Sequence, residues 1–98
     1  MENNDAKIFL ALADNKRLQI LEYLRIKTGC ASDLINKLSI SQSSLSYHMK
    51  ILVESGLVKA TKDGKWTYYS LDELGSIKAK ERLEFITKKS DDYIIKCC

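Results

Sequence analysis

Apolar positions recur at three- and four-residue steps over the first half of the chain, change to β-rich runs near its middle, and return to helical spacing afterwards. The stretch from Asn3 to Ala13 reads as a helix, with Asn3, Asn4 or Asp5 able to cap its start. A second helix follows Asp14, with Leu18, Leu21 and Leu24 at helical spacing, and ends near Gly29, which can take the left-handed C-terminal position. A third covers roughly Ala31 to Leu38, with Leu34, Ile35 and Leu38 facing inward. Ser39-Ile40-Ser41 breaks the pattern, and a fourth helix runs from Gln42 to about Ser55, where Gly56 stops it. Ser41 is its natural N-cap, and Leu45, Met49 and Leu52 share one face.

Leu57–Thr61 and Trp66–Leu71 are strand-like runs around Lys62-Asp63-Gly64-Lys65. Asp63-Gly64 at the centre of a two-residue turn places Val58 opposite Tyr69 and Lys59 opposite Tyr68. Asp72 then caps a long helix expected to run close to the C-terminus. A short helix, a tight turn, a second helix and a two-stranded ribbon make a winged helix-turn-helix. The expected fold is therefore mainly α with a β-hairpin wing (α+β), in the order helix, helix, helix, helix, strand, strand, helix. One domain spans 1–98, without internal repeat or linker. Along the last helix Ala79, Leu83, Ile86, Ser90, Tyr93 and Cys97 form one narrow stripe, which Ile8 and Leu12 could complete. Such a stripe on a small domain needs a partner, so a homodimer is expected, held by helices at about 3–13 and 72–97.

Charge adds a location to this picture. Residues 1–36 hold five basic and five acidic side chains, and residues 72–98 six of each. Between them Lys37, Lys50, Lys59, Lys62 and Lys65 stand against Glu54 and Asp63, so the net charge of +3 belongs to the helix-turn-helix and wing. A basic segment on a neutral scaffold suggests a polyanion. The longest apolar run, Ile8 to Ala13, is far short of a membrane span and lacks a basic leader, so a soluble, cytoplasmic protein without membrane contact is expected. A single histidine, no nucleophile–base pair and no glycine-rich phosphate loop leave no catalytic set, and no enzyme is expected.

The fourth helix is where chemistry concentrates. With Leu45, Met49 and Leu52 inward, Ser43, Tyr47, Lys50 and Glu54 take the opposite face, Ser44 and Ser46 flank it, and Gln42 begins it. Small hydroxyls permit close approach to a groove, glutamine can pair bidentately with adenine, and the helix N-terminus attracts phosphate. The candidate DNA-binding residues are Gln42, Ser43, Ser44, Ser46, Tyr47, His48 and Lys50, with Lys62 and Lys65 at the wing reaching phosphate. His48 lies on the flank of the apolar face and reads as a structural imidazole bonded to backbone or phosphate rather than as a metal ligand or catalyst. Trp66 and Tyr68 read as packing residues of the wing. The expected partner is a double-stranded, inverted-repeat operator with half-sites about one helical turn apart, or a multiple of it. The alternative, a winged helix that docks proteins, fits less well with a hydroxyl-rich exposed face.

These residues carry a family resemblance. Ser41-Gln42, Ser46-x-His48-Met49, Leu52, Ser55-Gly56-Leu57-Val58 and Gly64-Lys65-Trp66-x-Tyr68-Tyr69-x-Leu71 resemble the recognition helix and wing of the ArsR-type (arsenic-repressor) regulators. The stretch from Leu12 to Leu24 resembles the family's second helix, so the likeness spans roughly Leu12 to Leu71. It implies a homodimeric, metal-responsive transcriptional repressor released from its operator by a metal ion or another inducer. The family's arsenic-sensing pattern is Cys-x-Cys-Asp-Leu-Cys; here Cys30 and Asp33-Leu34 match it, while Ser32 and Ile35 stand where cysteines would be. The zinc-sensing pattern needs histidine on the last helix, and none follows His48. Cys97 and Cys98 with Cys30 nevertheless supply three soft donors, suited to a thiophilic ion such as trivalent arsenic or cadmium. The same thiols could answer oxidants or persulfides instead, and a regulator without metal or thiol sensing remains the alternative.

Overall fold

The computed structural model describes residues 5–95. Four helices precede the hairpin: α1 Asp5–Leu12, α2 Asn15–Leu24, α3 Ala31–Leu38 and α4 Gln42–Glu54. Strands β2 Val58–Asp63 and β3 Trp66–Leu71 form the wing, and α5 Glu73–Thr87 follows it. A further two-residue strand, β1 Gly29–Cys30, pairs antiparallel with β3, giving a three-stranded sheet in the order β1-β3-β2.

Local chemistry sets the helix starts. Asp14 accepts a hydrogen bond from the Arg17 amide and caps α2, and Ser41 Oγ accepts one from the Ser44 amide at 3.0 Å and caps α4. Asp72 Oδ1 accepts from the Leu74 and Gly75 amides at the start of α5. Between α3 and α4 the chain turns on Ser39, held in the left-handed conformation at φ 54°. That conformation costs a non-glycine residue roughly 1–2 kcal/mol, which the packing of α3 and α4 on either side must offset.

The core is continuous through the helix-turn-helix. Ala11, Ile20, Leu24, Leu34, Leu38, Leu45, Met49, Leu52, Leu57 and Val58 are buried together, with Tyr69, Leu71 and Ala79 packed against them. Ile20, Leu34, Leu52 and Val58 are the largest fully buried side chains, so α2, α3, α4 and β2 meet at its centre.

Five expectations are corrected. On α2 the buried residues are Arg17, Ile20 and Leu24, whereas Leu18 is 42% exposed. Gly29 is not a helix cap. The helix ends five residues earlier, and Gly29 sits opposite Tyr69 in the sheet, where a side chain would press into the Tyr23 ring. In the hairpin Val58 faces Leu71, Ala60 faces Tyr69 and Thr61 faces Tyr68. Gly64-Lys65, not Asp63-Gly64, forms the turn, because Asp63 already pairs with Trp66; Gly64 has positive φ (65°) and Lys65 does not. Positive φ at the first central residue alone is the pattern of a type II′ turn. The two-residue shift in register leaves every side chain on its expected face.

The other two corrections concern the expected dimer stripe. α5 stops at Thr87 with Lys88 as its C-cap, so Ser90 and Tyr93 are not helical, and Cys97 and Cys98 lie outside the described residues. Ile8 is buried within the chain and so does not extend an outer stripe, whereas Leu12 is half-buried and lines a groove with Ala79.

Candidate nucleic-acid interface

The exposed face of α4 is built from the base upward. Its underside is the buried set Leu45, His48, Met49 and Leu52, spaced three, one and three residues apart. Rotation of about 100° per residue then forces Gln42, Ser43, Ser46, Tyr47 and Lys50 outward. All five are exposed, Tyr47 by 62%, while Ser44 is half-buried. The first turn is organised by hydroxyls, with Ser41 Oγ 3.2 Å from Ser43 Oγ in addition to its bond from the Ser44 amide.

The wing leaves Lys62 and Lys65 exposed, and Lys65 shares a groove with Gln42 and Ser46 of this helix. Between α3, the start of α4 and β3 lies a groove of about 360 Å³, lined by Ser32, Gln42, Ser46, Lys65, Trp66 and Thr67, among others. Trp66 is 51% exposed there and Tyr68 is also exposed, so neither is the packing residue that the sequence suggests. Tyr69, half-buried against the core, takes that role.

His48 is turned inward and is 8% exposed. Its Nδ1 lies 3.0 Å from Arg17 Nη1, so its partner is a side chain rather than backbone or phosphate. Arg17, which sequence reasoning passed over, also donates from Nε to the Ala11 carbonyl and from Nη2 to the Leu10 carbonyl. A signal for it existed: positions 17, 20, 21 and 24 make an i, i+3, i+4, i+7 stripe, with an arginine at its head. The carboxyl of Asp14 is held below its ordinary range, first by the bond from the Arg17 amide and then by the positive charge of Arg17.

Cys30 is half-buried at the N-terminus of α3, its Sγ 3.3 Å from Ser32 Oγ. Among the described residues no three His, Cys, Asp or Glu side chains converge as a metal site, so Cys30 alone does not fit a trithiolate ion there. Within the described residues no helix is long and apolar enough to cross a membrane.

A recessed core, a polar outward helix face and a lysine-bearing wing beside it define a winged helix-turn-helix DNA-binding protein. Residues 14–60 match the profile of the bacterial regulatory protein, arsR family. The chain is 39% identical over 94 residues to the arsenical resistance operon repressor of Bacillus subtilis (strain 168), covering 92% of this chain and 86% of that protein. In structure it resembles HlyU from Vibrio cholerae N16961, with TM-score 0.67 and 34% identity, covering 89% of this chain and 98% of that one. It also resembles a possible transcriptional regulator for arsenical resistance, with TM-score 0.74 and 26% identity, covering 82% of this chain and 83% of that one. The chain belongs to the ArsR family and is a DNA-binding transcriptional regulator, not an enzyme.

Proposed function

We propose that the protein is a homodimeric repressor that reads an inverted-repeat operator with α4 and grips its backbone with the wing. The observation that carries this is the pairing of an outward polar face on α4 with Lys62 and Lys65 on the adjoining wing. Gln42, Ser43, Ser46 and Tyr47 discriminate bases, with Ser44 at the flank of that face, while Lys50, Lys62 and Lys65 neutralise phosphate. Trp66, exposed at the mouth of the groove between wing and helix, adds an apolar surface for a sugar. His48 serves from behind the face rather than on it.

Dimerisation through α5 is supported by the exposure of its apolar residues. None of its fifteen residues is buried, yet it exposes Leu74, Ile77, Leu83, Phe85 and Ile86. A helix of that length is marginal in water without a packed face. For the inducer we propose a thiophilic agent acting on Cys30, Cys97 and Cys98. The reading rests on the softness of three thiols and on a relative named for arsenical resistance.

Selection of bound duplexes from a random pool tests the reading, followed by affinity measurements on the selected site. Gln42→Ala and Ser46→Ala are expected to relax sequence preference. Lys65→Ala should weaken all sequences alike and reduce the salt slope by roughly one. Unchanged preference in the first two variants would remove α4 as the reading helix. Arsenite added to the complex should release DNA from the parent and not from a protein with all three cysteines changed to serine. Equal release from both would remove the thiols as sensor.

A further inference from the structure

Behind the reading face lies a buried polar knot that DNA contact does not use. Arg17 is 4% exposed and spends three nitrogens on three acceptors: the Leu10 carbonyl at 3.0 Å, the Ala11 carbonyl at 3.2 Å and His48 Nδ1 at 3.0 Å. One guanidinium thus ties the end of α1, the start of α2 and the middle of α4 together. Arginine carries only N–H donors and keeps its proton. Nδ1 of His48 must therefore offer a lone pair, which leaves the imidazole neutral with its proton on Nε2.

The surroundings of His48 show what a second proton would do. From α2 it is faced by Arg17 and by Asp14, whose Oδ2 lies 3.8 Å from the same Nδ1. From its own helix the Tyr47 ring meets it edge-on, with centroids 5.3 Å apart. From α1 the Leu10 and Ala11 carbonyls reach the knot through Arg17. A proton taken from solvent onto Nδ1 would set an N–H against the Arg17 N–H, two cations in contact. The new N–H would instead be drawn to Asp14, and Arg17 would lose its hold on α4.

We propose that His48 is a positioning residue for DNA binding: as a neutral acceptor it fixes α4 to the α1–α2 corner through Arg17, and its protonation releases that hold. The proposal rests on α4 being the reading helix. Tyr47, adjacent in the chain and half of the ring pair, connects the knot to the reading face directly.

The chain has one histidine, so its imidazole nitrogens are read without ambiguity by nitrogen-15 NMR of the DNA-free protein. The Nε2–H tautomer is expected at neutral pH, with α4 amide resonances moving in step with the imidazole on acidification. An Nδ1–H tautomer, or α4 resonances indifferent to the imidazole, would overturn the proposal. The second arm measures affinity for the selected duplex in the wild type and in His48→Asn, whose Oδ1 can stand near the place of Nδ1 and cannot take a proton. On acidification the wild type should lose roughly tenfold in affinity relative to the variant, a loss matching one hydrogen bond to a charged group. Charge changes elsewhere act on both proteins and cancel in that ratio. Parallel profiles with firm neutral-pH binding would overturn the clamp alone. Failure of the wild type to bind duplex at any pH would overturn the reading of α4 and this proposal with it. If His48→Asn does not fold, the wild-type tautomer and the coupling of α4 to it still decide.

Discussion

The two longest helices, α4 and α5, make opposite use of their apolar residues. Over thirteen residues α4 turns Leu45, His48, Met49 and Leu52 into the interior. Over fifteen, α5 buries nothing and leaves Leu83, Phe85 and Ile86 in the open. Both begin with a capping side chain, Ser41 in one and Asp72 in the other, so the difference does not arise at their starts. It arises in what covers them. The surroundings of α4 come from its own chain and hold its outer face in a fixed attitude. α5 is attached at its base, where the Asp72 amide donates to the Leu57 carbonyl and Gly75 stands so close to the Gly56 carbonyl that any side chain would collide. Farther along, Arg82 grips Asp5 of α1 with two bonds of 2.8 and 2.9 Å. Beyond those ties and the packing of Ala79 against the core, its apolar side chains stand exposed.

The contrast can be broken at either helix. Leu52→Ala, at a fully buried position of α4, should cost about 2–5 kcal/mol in a urea unfolding curve, because a cavity opens where four elements meet. A much smaller loss would show that the base of α4 is looser than its packing indicates. Leu83→Lys combined with Ile86→Lys should convert the proposed dimer to monomer in sedimentation at micromolar concentration, while the core reports little change. A dimer that survives both charges would place the interface elsewhere.

The smallest effect is expected at Asp5. Its bond from Arg82 holds the carboxyl below the usual carboxylate range, so the folded state favours the ionised form. The stabilisation is present above the unfolded carboxyl's range, near pH 4, and is lost as pH falls through the lower folded value. Asp5→Asn should therefore raise hydrogen exchange along α5 at neutral pH, and the difference from wild type should close in acid. A difference that persisted there would mean that the pair is not what orders α5.

Legibility in the sequence followed locality. The bounds of α4 could be read because Ser41, Gly56 and the spacing of Leu45, Met49 and Leu52 are all local signals. β1 could not, since two residues have no period and exist as a strand only through Tyr68 and Tyr69 far along the chain. The hairpin turn reads one residue early from sequence because Asp63-Gly64 and Gly64-Lys65 both satisfy a two-residue loop, and only the pairing of Asp63 with Trp66 separates them. The stripe on α5 ran on past Thr87 because spacing alone carries no stop signal there. At the interface, the outward residues of α4 followed from counting. His48 and Arg17 did not, because each is a polar residue occupying an apolar position, legible only when the two are seen to face each other.

The short strand β1 has a mechanical meaning. It runs straight into α3 while pairing with β3, so the hairpin is stitched at Tyr68 and Tyr69 to the segment that leads through α3 to α4. A free hairpin could swing to suit whatever duplex it met. Here the pairing of β1 with β3 ties the wing that bears Lys65 to the helix pair that presents Gln42 and Ser46, and those three side chains line one groove.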